Sequence, residues 1–145
     1  MQQEQSKELL NEIYKEAKTG FDTLSVVENS IEGNADLHQA IHQQKHCYSD
    51  TIVQAATQLR EMGTHAKGIS QLDKMKMRAA TKANIFMDNS PSHTAQMIIQ
   101  GSTMGITTLQ KTMNHCPQAD EKAKKLSQQL IQAEEAHIDA MKKFL

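Results

Sequence analysis

A chain of 145 residues with a formal net charge of -1 has room for one domain that encloses its own core, and its scattered Lys and Arg residues leave no electrostatic footprint for nucleic acid. With two prolines and six glycines there is too little punctuation for an all-β chain, and no strand-length run of Val, Ile or Thr appears, so the expected fold is all-α, a single helical-bundle domain over residues 1–145. Nine methionines against three phenylalanines and no tryptophan mean that Leu, Ile, Ala and Met must build the core.

The first helix is expected over 6–32, with Ser6 as its cap and a stripe of Leu10, Ile13, Ala17, Phe21, Leu24, Val27 and Ile31 stepping by three and four residues. Gly33 ends it and Asn34 caps the second helix, 35–62, whose stripe is Leu37, Ile41, Gln44, Tyr48, Ile52, Ala55, Leu59 and Met62. The short connection makes these two an antiparallel hairpin. Gln44 interrupts an otherwise apolar stripe. A weaker third helix, 70–88, opens with Ser70 and Asp73 in capping-box spacing and carries Leu72, Met75, Ala79, Ala83 and Phe86. At 1.5 Å per residue it spans about 27 Å, enough to carry the chain from one end of a bundle to the other as a crossover.

The fourth helix, 91–113, starts at Ser90-Pro91, a side-chain cap followed by proline at the first helical position. From Asn89 to Gln110 there is no Asp, Glu, Lys or Arg. A helix without a charged face is expected to be surrounded, so this one is read as the central helix. Gly101 and Gly105 share one of its faces and suggest close approach of another backbone there. The last helix, 117–145, follows Asn114-His115-Cys116-Pro117 and has the stripe Ala119, Ala123, Leu126, Leu130, Ala133, His137, Met141 and Phe144.

No nucleophile elbow, phosphate loop or paired-carboxylate cleft appears. The one constellation with chemical content is Glu134 with His137, which share a helix face at the i, i+3 spacing used by bundles that hold two metal ions. By helix level, Asp22 and His42 to His46 should stand beside this pair as fragments of such a site, while Gln96 and Gln100 stand where a Glu would be needed. A di-metal site takes about four carboxylates to balance two divalent ions, and this level offers two, so the favoured reading is a hydrogen-bonded polar layer of Gln44, Glu134 and His137 that sets register. His38, His42 and His46 form a ridge at metal-capable spacing, read as a solvated face. Cys47 and Cys116 lack any metal-type spacing and are read as reduced thiols without assigned chemistry.

The segment Ser92-His93-Thr94-Ala95-Gln96-Met97-Ile98-Ile99-Gln100-Gly101-Ser102-Thr103-Met104-Gly105-Ile106, with the Glu134-Glu135 region and the terminal Lys142-Lys143-Phe144-Leu145, resembles a family of small uncharacterised bacterial proteins built as a ferritin-like helical bundle. The resemblance covers nearly the whole chain. It implies a ferritin-like four-helix bundle with a crossover helix, and it carries no activity. The expected role is therefore non-enzymatic: self-association as a homo-oligomer, or binding of a protein partner, through an exposed Met- and Ala-rich groove and without a cofactor. The alternative is a ferritin-like oxidase or storage protein using iron or manganese at Glu134, His137, His42 and Asp22. The polar residues in the longest uncharged stretch argue against a membrane span, and no apolar run follows Met1, so a cytoplasmic protein is expected.

Overall fold

The computed structural model describes residues 1–145 as five α-helices and a C-terminal 3₁₀ turn, with no strand. They are α1 (Gln2–Ser30), α2 (Ala35–Glu61), α3 (Gln71–Met87), α4 (Pro91–His115) and α5 (Glu121–Met141), ending in the turn Lys142–Phe144. The helix order matches the sequence expectation, and the differences lie at the ends. α1 starts four residues before Ser6 and has no side-chain cap. Ser6 is buried instead, and its Oγ accepts a hydrogen bond from the Asp120 N–H at 2.8 Å, tying α1 to the start of α5. α5 begins at Glu121 because Asp120 is its cap, accepting from the Ala123 N–H at 2.8 Å.

Three other caps fall where the residue types place them. Asn34 accepts from the Leu37 N–H at 3.0 Å, Ser70 from Asp73 at 3.2 Å and Ser90 from His93 at 3.2 Å. Gly33 and Asn34 both take positive φ, 73° and 44°, a reversal that these two residue types tolerate best.

α1 and α2 pack as the antiparallel hairpin. α5 runs antiparallel to α2, from Lys122 beside Glu61 at 3.1 Å to Glu134 beside Tyr48 at 2.6 Å. α4 lies against α5 and α1. α3 packs chiefly on α1 and parallel to it: the Lys67 N–H donates to Asn11 Oδ1 at 2.8 Å just before α3, and Thr23 donates to Met77 Sδ at 3.4 Å along it. The crossover therefore returns the chain to the hairpin end, as its length predicted.

The core is the apolar stripe of each long helix: Leu10, Ile13, Ala17 and Val27 from α1; Leu37, Ile41, Ala55 and Leu59 from α2; Ala95 and Leu109 from α4; Ala123, Leu126 and Leu130 from α5. Fully burying a Leu or Ile contributes about 1.5–3 kcal/mol each.

Two expectations are overturned. The helix at the centre is α1, which touches all four others; α4 leaves Gln96, Gln100, Gly101, Thr103, Met104, Thr107 and Gln110 in solvent. Lack of charge did not mean burial, because Thr103 and Thr107 satisfy their hydroxyls on carbonyls one turn back, at 2.8 and 3.0 Å, and the glutamines are solvated without charge. The α3 stripe is also turned outward. Thr81 and Ile85 are its buried residues, while Leu72, Met75, Ala79, Ala83 and Phe86 are exposed. Periodicity found the apolar face correctly, but no element of this chain covers it.

Candidate functional site

Inside the four long helices one level is polar. Gln44 and Tyr48 lie one turn apart on the inward face of α2, 1% and 4% exposed, and Glu134 reaches them from α5 at 4%. The Tyr48 hydroxyl donates to Glu134 Oε1 at 2.6 Å, the length of a bond between a hydroxyl and an ionised carboxylate. With that proton committed, the Tyr48 oxygen can only accept, and it does so from Gln44 Nε2 at 2.9 Å. The second amide hydrogen of Gln44 goes to Ser102 Oγ on α4 at 3.2 Å. This sequence fixes the amide orientation and leaves Gln44 Oε1 buried without a partner.

His137 completes the layer, its Nδ1 3.3 Å from Glu134 Oε1 and its ring edge-on to Tyr48 at 5.9 Å between centroids. Burial, and then the Glu134 charge, push the Tyr48 phenol far above its ordinary range. Tyr48 thus stays a neutral donor.

The Tyr48 ring lies across α1 at Gly20, where a Cβ would stand 2.6 Å from Cε2. A glycine is required there for the ring to reach Glu134. On the opposite side, a Cβ on Gly105 would lie 3.2 Å from Glu134 Oε2 and 3.4 Å from Glu16 Oε2. Two carboxylates therefore converge on the same bare patch of α4. Burial, followed by repulsion from Glu12, raises the Glu16 pKa to about 7.

A cavity of about 110 Å³ opens from this layer toward solvent between α1 and α4. Glu16, Thr19, Gln44, Tyr48, Ser102 and Glu134 line its polar end, and Leu24, Val27, Met97 and Ile98, with Thr23 beside Leu24, line its more apolar end. Gly101 sits at the rim, and a Cβ added to it would meet nothing within 4 Å.

Of the residues singled out from sequence, Gln44, Glu134 and His137 do share a layer, with Tyr48 as the link between Gln44 and Glu134. Asp22 and His42 are not part of it. Asp22 points along α1 to Lys18, 3.4 Å away, and His42 is exposed on the outer face of α2. His46 is exposed as well and faces Asp50 at 3.6 Å. Gln96 and Gln100 are exposed too; α4 turns Ser102 and Gly105 to this level instead. Matching levels by residue count sets α1 more than a turn too far along, and so misses Glu16 and Gly20. The signal available was Gly20 itself, a glycine in mid-helix beside an aromatic-bearing stripe.

The chemistry of this donor set does not fit a pair of iron or manganese ions. Glu16 and Glu134 are half the carboxylates that such a pair takes, His137 already engages Glu134, and no group of three His, Cys, Asp or Glu side chains is placed to hold a metal ion. Cys47 and Cys116 are free thiols, and burial followed by the nearby Glu134 charge raises the Cys47 pKa, the reverse of what a reactive thiolate needs. No helix is long and apolar enough to cross a membrane. The chain matches no family model, no curated protein and no solved structure.

Proposed function

We propose that this chain is a non-enzymatic bundle of ferritin-like topology that works by binding another protein, and that α3 is the element it presents. The observation that carries this reading is the outward face of α3, where Leu72 is 61% exposed, Met75 66%, Phe86 93% and Met87 85%. Large apolar side chains contiguous on one helix are uncommon on a free surface and mark contact sites. Leu72, Met75, Ala79 and Phe86 repeat at the spacing by which an amphipathic helix seats in a groove.

Charge specifies the partner. Lys74, Lys76, Arg78 and Lys82 lie on α3 against the single acid Asp73, and none of the four takes part in an ion pair with a carboxylate of this chain. Pairing α3 with α3 of a second copy would oppose like charges, which costs affinity. The partner that fits is a protein surface with an apolar groove rimmed by Asp and Glu. The crossover topology supports the ferritin-like likeness of the scaffold, whose other four helices are free to act as a rigid support.

The test is a titration with a synthetic amphipathic helical peptide carrying a Leu stripe flanked by Glu, alongside the same peptide with Lys for Glu. Salt-sensitive binding of the acidic peptide alone, lost in Met75→Glu/Phe86→Glu, is the expected result. Equal binding of both peptides, or a stable dimer in sedimentation that the double variant dissociates, overturns it.

A further inference from the structure

The cavity between α1 and α4 is independent of α3, and its polar end is one-sided in a way that specifies a ligand. The two hydrogens of the Gln44 amide are spent on Tyr48 and Ser102, and the Tyr48 hydroxyl proton is spent on Glu134. What remains beside the rotatable hydroxyls of Thr19, Thr23 and Ser102 is acceptors: the Glu134 and Glu16 carboxylates, and Gln44 Oε1, which is buried and has no partner. No Lys, Arg or His lines the cavity. A buried acceptor without a donor is costly, about 1–3 kcal/mol by mutational data, so an occupant that donates several hydrogens is favoured at this end.

The lining also has a direction. Along α1 it runs from Glu16 to Val27, and along the antiparallel α4 from Ser102 back to Met97, so the acidic end and the apolar end (Leu24, Val27, Met97, Ile98) are separated along the helix axis. Rise per residue places Glu16 and Val27 about 16 Å apart. An apolar cavity of about 150 Å³ accepts benzene, so 110 Å³ suits a chain of a few carbons with its end at the rim.

We infer that this cavity is a binding site for a short aliphatic primary amine, held as its ammonium ion by Glu134, Glu16 and Gln44 Oε1 with its alkyl chain directed toward Leu24 and Ile98. An ammonium group supplies three donors and a positive charge to a site whose only charged side chains are carboxylates and whose hydroxyls can turn to accept. A carboxylate ligand would meet repulsion from both glutamates. A neutral alcohol of the same length can offer one donor only, and it leaves the acidic end uncompensated.

The experiment is an NMR and calorimetric titration of the intact chain at pH 8 with n-butylamine, n-butanol and butyrate, repeated on Glu16→Gln and Gly101→Leu. n-Butylamine is expected to shift the amide signals of residues 16–27 and 97–102 and to raise the melting temperature, with neither control doing so. Glu16→Gln should weaken the amine at least tenfold without loss of fold, and Gly101→Leu, whose side chain would start from the open rim, should block entry while circular dichroism stays unchanged. Absence of amine binding, equal binding of n-butanol, undiminished binding by Glu16→Gln, or binding of manganese ion in place of the amine would each overturn the inference.

Discussion

The layer around Glu134 and the outer face of α3 are inversions of each other. One places a carboxylate, an amide and a phenol among core side chains, each 4% exposed or less; the other places Phe86 and Met87 in solvent at 93% and 85%. In the first case hydrogen bonds offset the burial: every donor of Gln44 and Tyr48 is used. In the second nothing in the chain offsets the exposure. Buried polar groups and exposed apolar patches are the two departures from ordinary burial that carry information. Here they separate structural specificity, inside, from a surface left for something else.

The polar layer is most vulnerable at the bare patch of α4. Gly105→Leu is expected to destabilise the fold by about 3 kcal/mol or more, because its side chain would displace Glu134 and Glu16, which stand 3.2 and 3.4 Å from the first added carbon. Gly101→Leu, one turn away, meets open space and should instead gain up to about 1 kcal/mol from helix propensity. Denaturant midpoints of the pair decide it, and two equal losses would mean that α4 is rotated so that Gly101 also faces a neighbouring helix.

A smaller effect isolates the hydrogen bonds of the layer. Tyr48→Phe keeps the ring over Gly20 but removes the donor to Glu134 and the acceptor for Gln44, so a loss of about 1–3 kcal/mol is expected at neutral pH. A midpoint within about 0.5 kcal/mol of the parent would show that water replaces the hydroxyl without penalty.

The Glu16 carboxyl supplies a pH test. Its folded pKa of about 7 lies above its ordinary 4.5, so the folded chain holds the proton more tightly than the unfolded one. Stability is therefore full below about pH 4.5, falls as pH rises from 4.5 to 7, and stays reduced above that. Glu16→Gln should remove this slope and stabilise the fold at pH 8 by about 1 kcal/mol, well under the full 1.36 kcal/mol per unit because the side chain keeps contact with water. Thermal melts at pH 4.5 and pH 8 measure it, and a variant that keeps the parent's slope would reassign the titration.

The smallest change is expected on α3. Phe86→Ser or Met75→Ser should alter stability by no more than about 0.5 kcal/mol, since neither side chain is covered. Amides of 71–87 should also exchange faster than those of 95–110, because α3 buries only Thr81 and Ile85. A loss above about 2 kcal/mol for either serine variant would show that this face is packed within the chain.

Helix number, order and most caps were legible in the sequence because they depend on local chemistry: Asn34, Ser70 and Ser90 each bond the backbone three residues on, whatever the rest of the chain does. The layer was legible in part. Gln44 and His137 stood out as polar members of apolar stripes, and the Glu134–His137 pair follows from helical spacing alone. Asp22 and His42 were misplaced because matching levels across helices depends on the stagger and rotation of packed elements, which no local pattern encodes.

Periodicity by itself determined which face of each helix is apolar, since that follows from side-chain type at a fixed 3.6-residue repeat. Which of those faces is covered was decided by the tertiary structure. The stripes of α1, α2 and α5 meet one another, whereas the stripe of α3 meets none, and the uncharged run of α4 is half solvated because its threonines satisfy their own hydroxyls. Tertiary packing also brought Glu16, Tyr48, Ser102 and Glu134 around one cavity from four different helices. Their spacing in sequence carries no sign of it, because contact between distant residues arises only when several helices close on a shared core.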